Sequence, residues 1–156
     1  MAVEIAIATR DDLPDLVRLV RRSGLSTKGL ETCRWVLKAT SDGRIVGTGA
    51  VEILGRYAFC RSLAVERSQR GSGVGAGMVH RWLELCRAEG LGAAYLVTRR
   101  WHAGYFSRWG FRVIAKSEAP PEVRRHWQVS SFLYGVAYRP FVCLMKVVLL
   151  PKTNTP

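Results

Sequence analysis

No stretch of this chain is long and apolar enough to span a bilayer as a helix, so a helical membrane protein is not expected. The first seven residues, Met1-Ala2-Val3-Glu4-Ile5-Ala6-Ile7, lack a basic region followed by an apolar one. They read as a first strand rather than a signal peptide. Acidic residues are scarce: 12 Asp and Glu face 24 Lys and Arg, a formal net charge of +12. Such an imbalance favours anionic partners, whether nucleic acid, an acidic surface or a phosphorylated cofactor. Yet there is no run of five like charges, no Arg/Gly tail and no aromatic-basic RNA-binding motif. The scatter reads as a soluble basic surface, and nucleic acid is not expected as a partner. Cysteine is sparse and unpatterned. Cys33, Cys60, Cys86 and Cys143 form no Cys-x-x-Cys, and none lies near a His at zinc-ligand spacing. Free thiols in a cytoplasmic protein without metal are therefore expected.

What is present fits one globular domain over residues 1–150, with a disordered tail at 151–156. Residues 3–8 alternate as a strand. Thr9, Asp11 and Asp12 then open a helix carrying Leu13, Leu16, Val17 and Val20, which Gly24 ends. Residues 26–32 read as a short second helix. Strands follow at 34–40, 45–54 and 57–65, with hairpin turns at Asp42-Gly43 and Gly55-Arg56. Beyond Arg70, Gly75, Met78, Val79, Trp82, Leu83 and Cys86 recur with helical period, and Gly90 closes that helix. A buried strand at 93–98, a short helix at 102–109 stopped by Gly110, a strand at 111–115, a helical turn at Pro120-Pro121-Glu122 and a strand at 141–150 complete the chain. This order predicts an α+β fold with a mixed sheet, hairpins first and crossovers later, not a doubly wound one.

The most informative stretch is strand, Arg70-Gly71-Ser72-Gly73-Val74-Gly75-Ala76-Gly77, helix. Glycines let an anion approach bare backbone, the first helical amides have no intrahelical partner, and the helix dipole adds positive potential there. Such a turn suits a phosphate or pyrophosphate. A P-loop is excluded because no Lys follows the glycines. Gly71, Gly73 and Ala76 formally satisfy the dinucleotide fingerprint, and Arg99-Arg100 ends the next strand as in an NADP site. That fingerprint, however, belongs after a first strand, and here it follows the fourth.

Arg-x-x-Gly-x-Gly after a strand ending Leu63-Ala64-Val65 resembles the acetyl-CoA motif of the GCN5-related N-acetyltransferases. So do Tyr95-Leu96-Val97-Thr98 as that family's fifth strand and Ala103-Gly104-Tyr105-Phe106-Ser107-Arg108-Trp109-Gly110-Phe111 as its helix and Gly-Phe turn. The likeness covers residues 3–115. Within the family, Arg61-Ser62-Leu63-Ala64-Val65 and Gly24-Leu25 look most like arsenic-resistance and short amino-acid N-acetyltransferases. The resemblance implies a mostly antiparallel sheet with a splayed central strand pair, flanked by helices. It also implies acetyl-CoA as acetyl donor. Its pyrophosphate would lie on Arg70, Gly71, Ser72, Gly73, Val74, Gly75 and Ala76, and its pantetheine along Leu63, Ala64 and Val65.

Acetyl transfer needs a neutral amine, so a base must take a proton. Residues 57–65 hold no carboxylate, although many family members use a Glu there. Glu52, among Ala50, Val51, Ile53 and Leu54, is the substitute base, expected as a lone, partly desolvated carboxylate. His102 is an alternative base. The family's usual acid, a Tyr, falls on Phe106, which has no hydroxyl and becomes a wall beside the cofactor. Tyr105 is adjacent but turned about 100° away on a helix. Arg61 is expected to grip an anionic group of the substrate, with Thr98 on the facing strand and Lys28 and Arg34 at the entrance. The expected acceptor is a small-molecule amine, amino-acid-like or anionic, with neither membrane nor nucleic acid involved and a homodimer allowed. Two further readings stand beside this one: a non-catalytic acyl-CoA sensor on the same fold, suggested by the missing Tyr, and an NADP- or nucleic-acid-binding domain.

Overall fold

In a computed structural model of the chain, residues 2–133 and 140–149 are described. The expected tail at 151–156 and the end of the last expected strand lie outside them. Seven strands form one sheet: β1 (Glu4–Ile7), β2 (Trp35–Ser41), β3 (Arg44–Leu54), β4 (Tyr57–Val65), β5 (Ala93–Arg99), β6 (Arg112–Ile114) and β7 (Val142–Val148). Their order is β1-β2-β3-β4-β5-β7-β6. Strands β1–β2, β2–β3, β5–β7 and β6–β7 pair antiparallel, and β4–β5 pair parallel. Among the described residues four α-helices accompany them: α1 (Leu13–Arg22), α2 (Val74–Ala88), α3 (Ala103–Ser107) and α4 (Pro121–Leu133). The α+β, mixed and mostly antiparallel architecture is as the sequence implied.

Two sequence expectations needed correction. Residues 26–32 hold only a 3-10 turn, Leu30–Thr32, because Gly29 adopts the left-handed conformation (φ 74°) and breaks any longer helix. The helical turn at Pro120-Pro121-Glu122 is the start of a 13-residue helix, α4. Pro121 at its first position and Glu122 in its first turn suit that start. Val123 anchors it, fully buried. The Asp42-Gly43 turn is as read: φ values of 50° and 73° allow the two-residue connection between Ser41 and Arg44.

Contacts divide the chain into two compact units, Met1–Glu52 with Arg61–Trp82 and Ile53–Cys60 with Leu83–Pro156. In the first, Val20, Leu30 and Ala50 form a buried cluster against which Val17, Leu25, Cys33 and Val36 pack. The amino-terminal part of α2 sits unusually close to β3, and glycine is the reason. A Cβ on Gly47 would lie 2.8 Å from Val74 Cγ1, and one on Gly49 would lie 2.7 Å from the Trp82 ring. In the second unit, Phe59, Tyr95, Ile114, Ala119, Val123 and Leu144 form the core. Cys60, Cys86 and Cys143 are buried and Cys33 half-buried, all as free thiols.

Candidate active site

Parallel pairing of β4 with β5 runs from Tyr57↔Ala93 to Cys60↔Leu96 and goes no further. Both strands continue, β4 to Val65 and β5 to Arg99. Beyond that point β5 pairs on its other side with β7, through Thr98↔Cys143 and Arg99↔Val142. This is the splayed pair. On β4 the departure coincides with Ser62, a buried residue in the left-handed region (φ 59°). A serine in that conformation marks local irregularity rather than regular strand.

The glycine turn follows β4 in the first unit. Glu66 N donates to Val46 O (2.7 Å) and ends the strand, and a 3-10 turn at Arg67–Gln69 carries the chain round. Arg70 Nε donates to Val65 O (3.3 Å), and the Ser72 hydroxyl donates to Gln69 O. Gly71 and Gly73 have φ values of 82° and 90°, and a Cβ on either would meet nothing within 4 Å. The chain is bare and open there. The Gly77 amide donates to Gly73 O (3.0 Å), the first bond of α2's ladder, so the amides of Val74, Gly75 and Ala76 lie ahead of it. Val74 is buried under β3 and fixes where the helix begins. Leading helical amides and open glycine backbone thus adjoin at a helix N-terminus, an arrangement suited to a pyrophosphate.

A second feature of the same unit is a polar cluster assembled from four distant places. Arg61 Nη1 donates to Glu52 Oε1 (3.1 Å), Nη2 to Ser26 O (3.2 Å) and Nε to Ser62 Oγ (3.1 Å). The Arg61 and Glu52 side chains are only 17% and 16% exposed. The Cys33 thiol donates to Gly29 O (3.5 Å) and, more weakly, lies 3.9 Å from Glu52 Oε1. Burial first, and the Glu52 charge second, push that thiol up to about 12, so it stays protonated and remains a donor. Glu52, expected as a lone carboxylate, is thus ion-paired. Neither the pairing nor the role of Ser26 and Cys33 had a signal in the sequence.

In the second unit, Phe106 is buried and Tyr105 half-buried, on different sides of α3. The Tyr105 ring meets Phe106 edge-on (5.2 Å) and Trp109 (5.1 Å), and the Arg108 guanidinium lies 5.5 Å over it. Burial raises the Tyr105 hydroxyl above its usual range, partly countered by Arg108. Thr98 is half-buried near the end of β5, and His102 is exposed beside Trp101. Of the entrance residues, Lys28 is exposed and Arg34 lies over the Trp35 ring (5.4 Å). A shallow basic hollow lined by Lys116, Ser117, Pro121, Arg124 and Arg125 contains none of the residues singled out from the sequence. Among the described residues no group of three or more His, Cys, Asp or Glu could hold a metal, and no helix is long and apolar enough to cross a membrane.

The fold and the glycine turn together define an acyl-CoA-handling transferase architecture, and the comparisons agree. Residues 9–111 match the model of the acetyltransferase (GNAT) family, and the chain belongs to that family. No curated protein sequence matches it. A Mycobacterium tuberculosis protein solved with CoA and NLQ superposes at a TM-score of 0.77 with 24% identity, covering 94% of this chain and 99% of that one. N-acetylglutamate synthase from Neisseria gonorrhoeae, solved with coenzyme A and N-acetyl-glutamate, superposes at 0.78 with 19% identity. That match covers 96% of this chain but only 36% of the synthase. The ribosomal-protein-S18-alanine N-acetyltransferase from Escherichia coli superposes at 0.72 with 13% identity over 99% of both chains.

Proposed function

We propose that this protein is an acetyl-CoA-dependent N-acetyltransferase whose acceptor is the amine of a small, amino-acid-like or anionic molecule. The observation that carries the proposal is the open turn at Gly71 and Gly73 running into the uncommitted first amides of α2. A pyrophosphate fits it because nothing stands within 4 Å of either glycine's missing side chain. Arg70 lies beside it, tied to Val65 O. Leu63, Ala64 and Val65 lie on the part of β4 beyond its pairing with β5, and their backbone would take the pantetheine as an added strand. The amino-acid class is supported by relatives of the same fold, one of them solved with N-acetyl-glutamate. An affinity to the arsenic-resistance and short amino-acid enzymes is the finer form of this reading.

Chemically, the acceptor must lose a proton before it attacks the thioester carbonyl, because an ammonium has no lone pair. Glu52 takes that proton, directly or through water. The sulfur leaves as a thiolate, protonated by Tyr105 or by water, and Phe106 supplies an apolar wall. Thr98 contributes a hydroxyl on the acceptor side. The direct test is thiol release from acetyl-CoA with a panel of amino acids and simple amines. Amine-dependent release is expected. Tight acetyl-CoA binding without release from any amine would make the chain a sensor instead.

A further inference from the structure

We infer that Arg61 is a positioning residue: one guanidinium fixes the Glu52 carboxylate and residues 26–33 against each other, so that proton removal and acceptor entry are set together. The inference rests on Glu52 being the proton acceptor. Sequence reasoning made Arg61 a ligand of the substrate's anionic group. A bidentate grip needs neighbouring N–H groups presented to the ligand. Here each of the three guanidinium nitrogens already donates to the protein, to Ser62 on Arg61's own strand, to Glu52 on β3 and to the Ser26 carbonyl between α1 and β2. Three of its five N–H groups are thus committed, and the plane is fixed by the protein. The side chain is largely withdrawn from solvent. It joins three places separated by up to 35 residues of sequence.

The segment it holds is built to be held. Leu30, fully buried, anchors it in the core with Val20 and Ala50. Thr32 Oγ1 (2.9 Å) and the Cys33 thiol both donate to the Gly29 carbonyl, folding residues 29–33 into a tight turn. Gly29 covers the ion pair. A Cβ there would lie 3.7 Å from Arg61 Nη1 and 3.8 Å from Glu52 Oε1, in van der Waals contact with both charges. The segment therefore reaches Glu52 through Cys33, with the bare backbone of Gly29 beside it, and Arg61 closes the arrangement. If the guanidinium were lost, Glu52 would lose its charge partner and residue 26 its donor in one step. A displacement of about 1 Å at a reacting group is enough to cost about 10²-fold in rate.

The experiment uses the full chain with two acceptors that differ only in a carboxylate, an amino acid and its decarboxylated amine. It measures kcat and KM for each, acetyl-CoA affinity by calorimetry, and hydrogen exchange of the amides of residues 25–33. Arg61→Gln is expected to lower kcat/KM about 10²-fold for both acceptors alike. Exchange in 25–33 should quicken, and acetyl-CoA affinity should hold. Arg61→Lys, which keeps charge and one donor, should recover part of kcat and of the exchange protection. It also carries the test if Arg61→Gln does not fold. The double variant Arg61→Gln with Glu52→Gln should be no slower than the worse single one, because the two act as a unit. A loss confined to the carboxylate-bearing acceptor would overturn the inference and return Arg61 to the role of substrate ligand. So would additive losses, or exchange in 25–33 that neither variant changes. If the native protein acetylates no amine, the transferase reading fails, while the exchange measurements still decide whether Arg61 holds the segment.

Discussion

The glycine turn and the Arg61–Glu52 cluster lie in the same unit but are made of different material. The turn is backbone: two left-handed glycines and the leading amides of one helix, contiguous over residues 71–76. The cluster is mainly side chain, drawn from residues 26, 33, 52, 61 and 62. A site of the first kind is local. Its residue types follow from its dihedrals, and it survives almost any surface change that spares them. A site of the second kind exists only when the fold has brought its parts together. Each part also carries a desolvation cost that the others offset. The difference implies that the turn fails through added atoms and the cluster through removed ones.

The sharpest way to break the turn is therefore an addition. Gly73→Asp places a side chain and a negative charge where backbone should meet phosphate, at a φ of 90°. Acetyl-CoA affinity is expected to fall by about three powers of ten, roughly 4 kcal/mol. The far-UV spectrum should stay native, because a Cβ there meets nothing and the backbone strain of a side chain at that φ, about 1–3 kcal/mol, is confined to the turn. Calorimetry showing native affinity would remove the basis for placing the cofactor. The cluster calls for the opposite change. Glu52→Gln keeps the shape and loses the proton acceptor, so kcat should drop by about 10² with acetyl-CoA affinity unmoved. Normal turnover from pH 6 to 9 would move the base elsewhere, with His102 the next residue to substitute.

The same contrast explains what could be read in the sequence. The Asp42-Gly43 hairpin, the helix after Gly73 and the order of strands were legible because turn chemistry and periodicity are local. The Gly47 and Gly49 contacts with Val74 and Trp82 were not, since a glycine in a strand does not announce what presses on it. Nor was the left-handed Ser62, a residue type with no strong need of that conformation. Glu52 was found as a carboxylate among apolar neighbours, but its partner lies nine residues on in another strand, and only the fold pairs them. Phe106 is an intermediate case. Its place before Gly110-Phe111 was readable, and its ring is buried against Phe111 (6.2 Å between centroids). If it is only a wall, Phe106→Tyr should leave kcat within about tenfold, roughly 1.4 kcal/mol. A larger gain would mean that the site lacks an acid it needs.

The smallest effect expected is a control on both regions. Asp12 accepts from Lys38 Nζ (2.8 Å) and from the amide of Thr9 (2.8 Å), away from the turn and the cluster. The Lys38 bond first, and the Thr9 amide second, hold its carboxyl below the usual aspartate range. A carboxyl depressed in the folded state stabilises that state above its unfolded pKa of about 4, and the contribution is lost as the pH falls through the folded value. Asp12→Asn should therefore melt below the native protein at pH 7. For a pair this close to solvent the gap should be no more than about 2–4 °C. It should narrow below about pH 4 and shrink in high salt, which screens the pair. Acetyl-CoA affinity and kcat should not change. A gap that persists once the Asp12 carboxyl is protonated would assign the loss to the Thr9 turn's hydrogen bonds rather than to charge. A change in kcat would mean that the start of α1 communicates with the residues that follow it, and that the cluster reaches further than its hydrogen bonds.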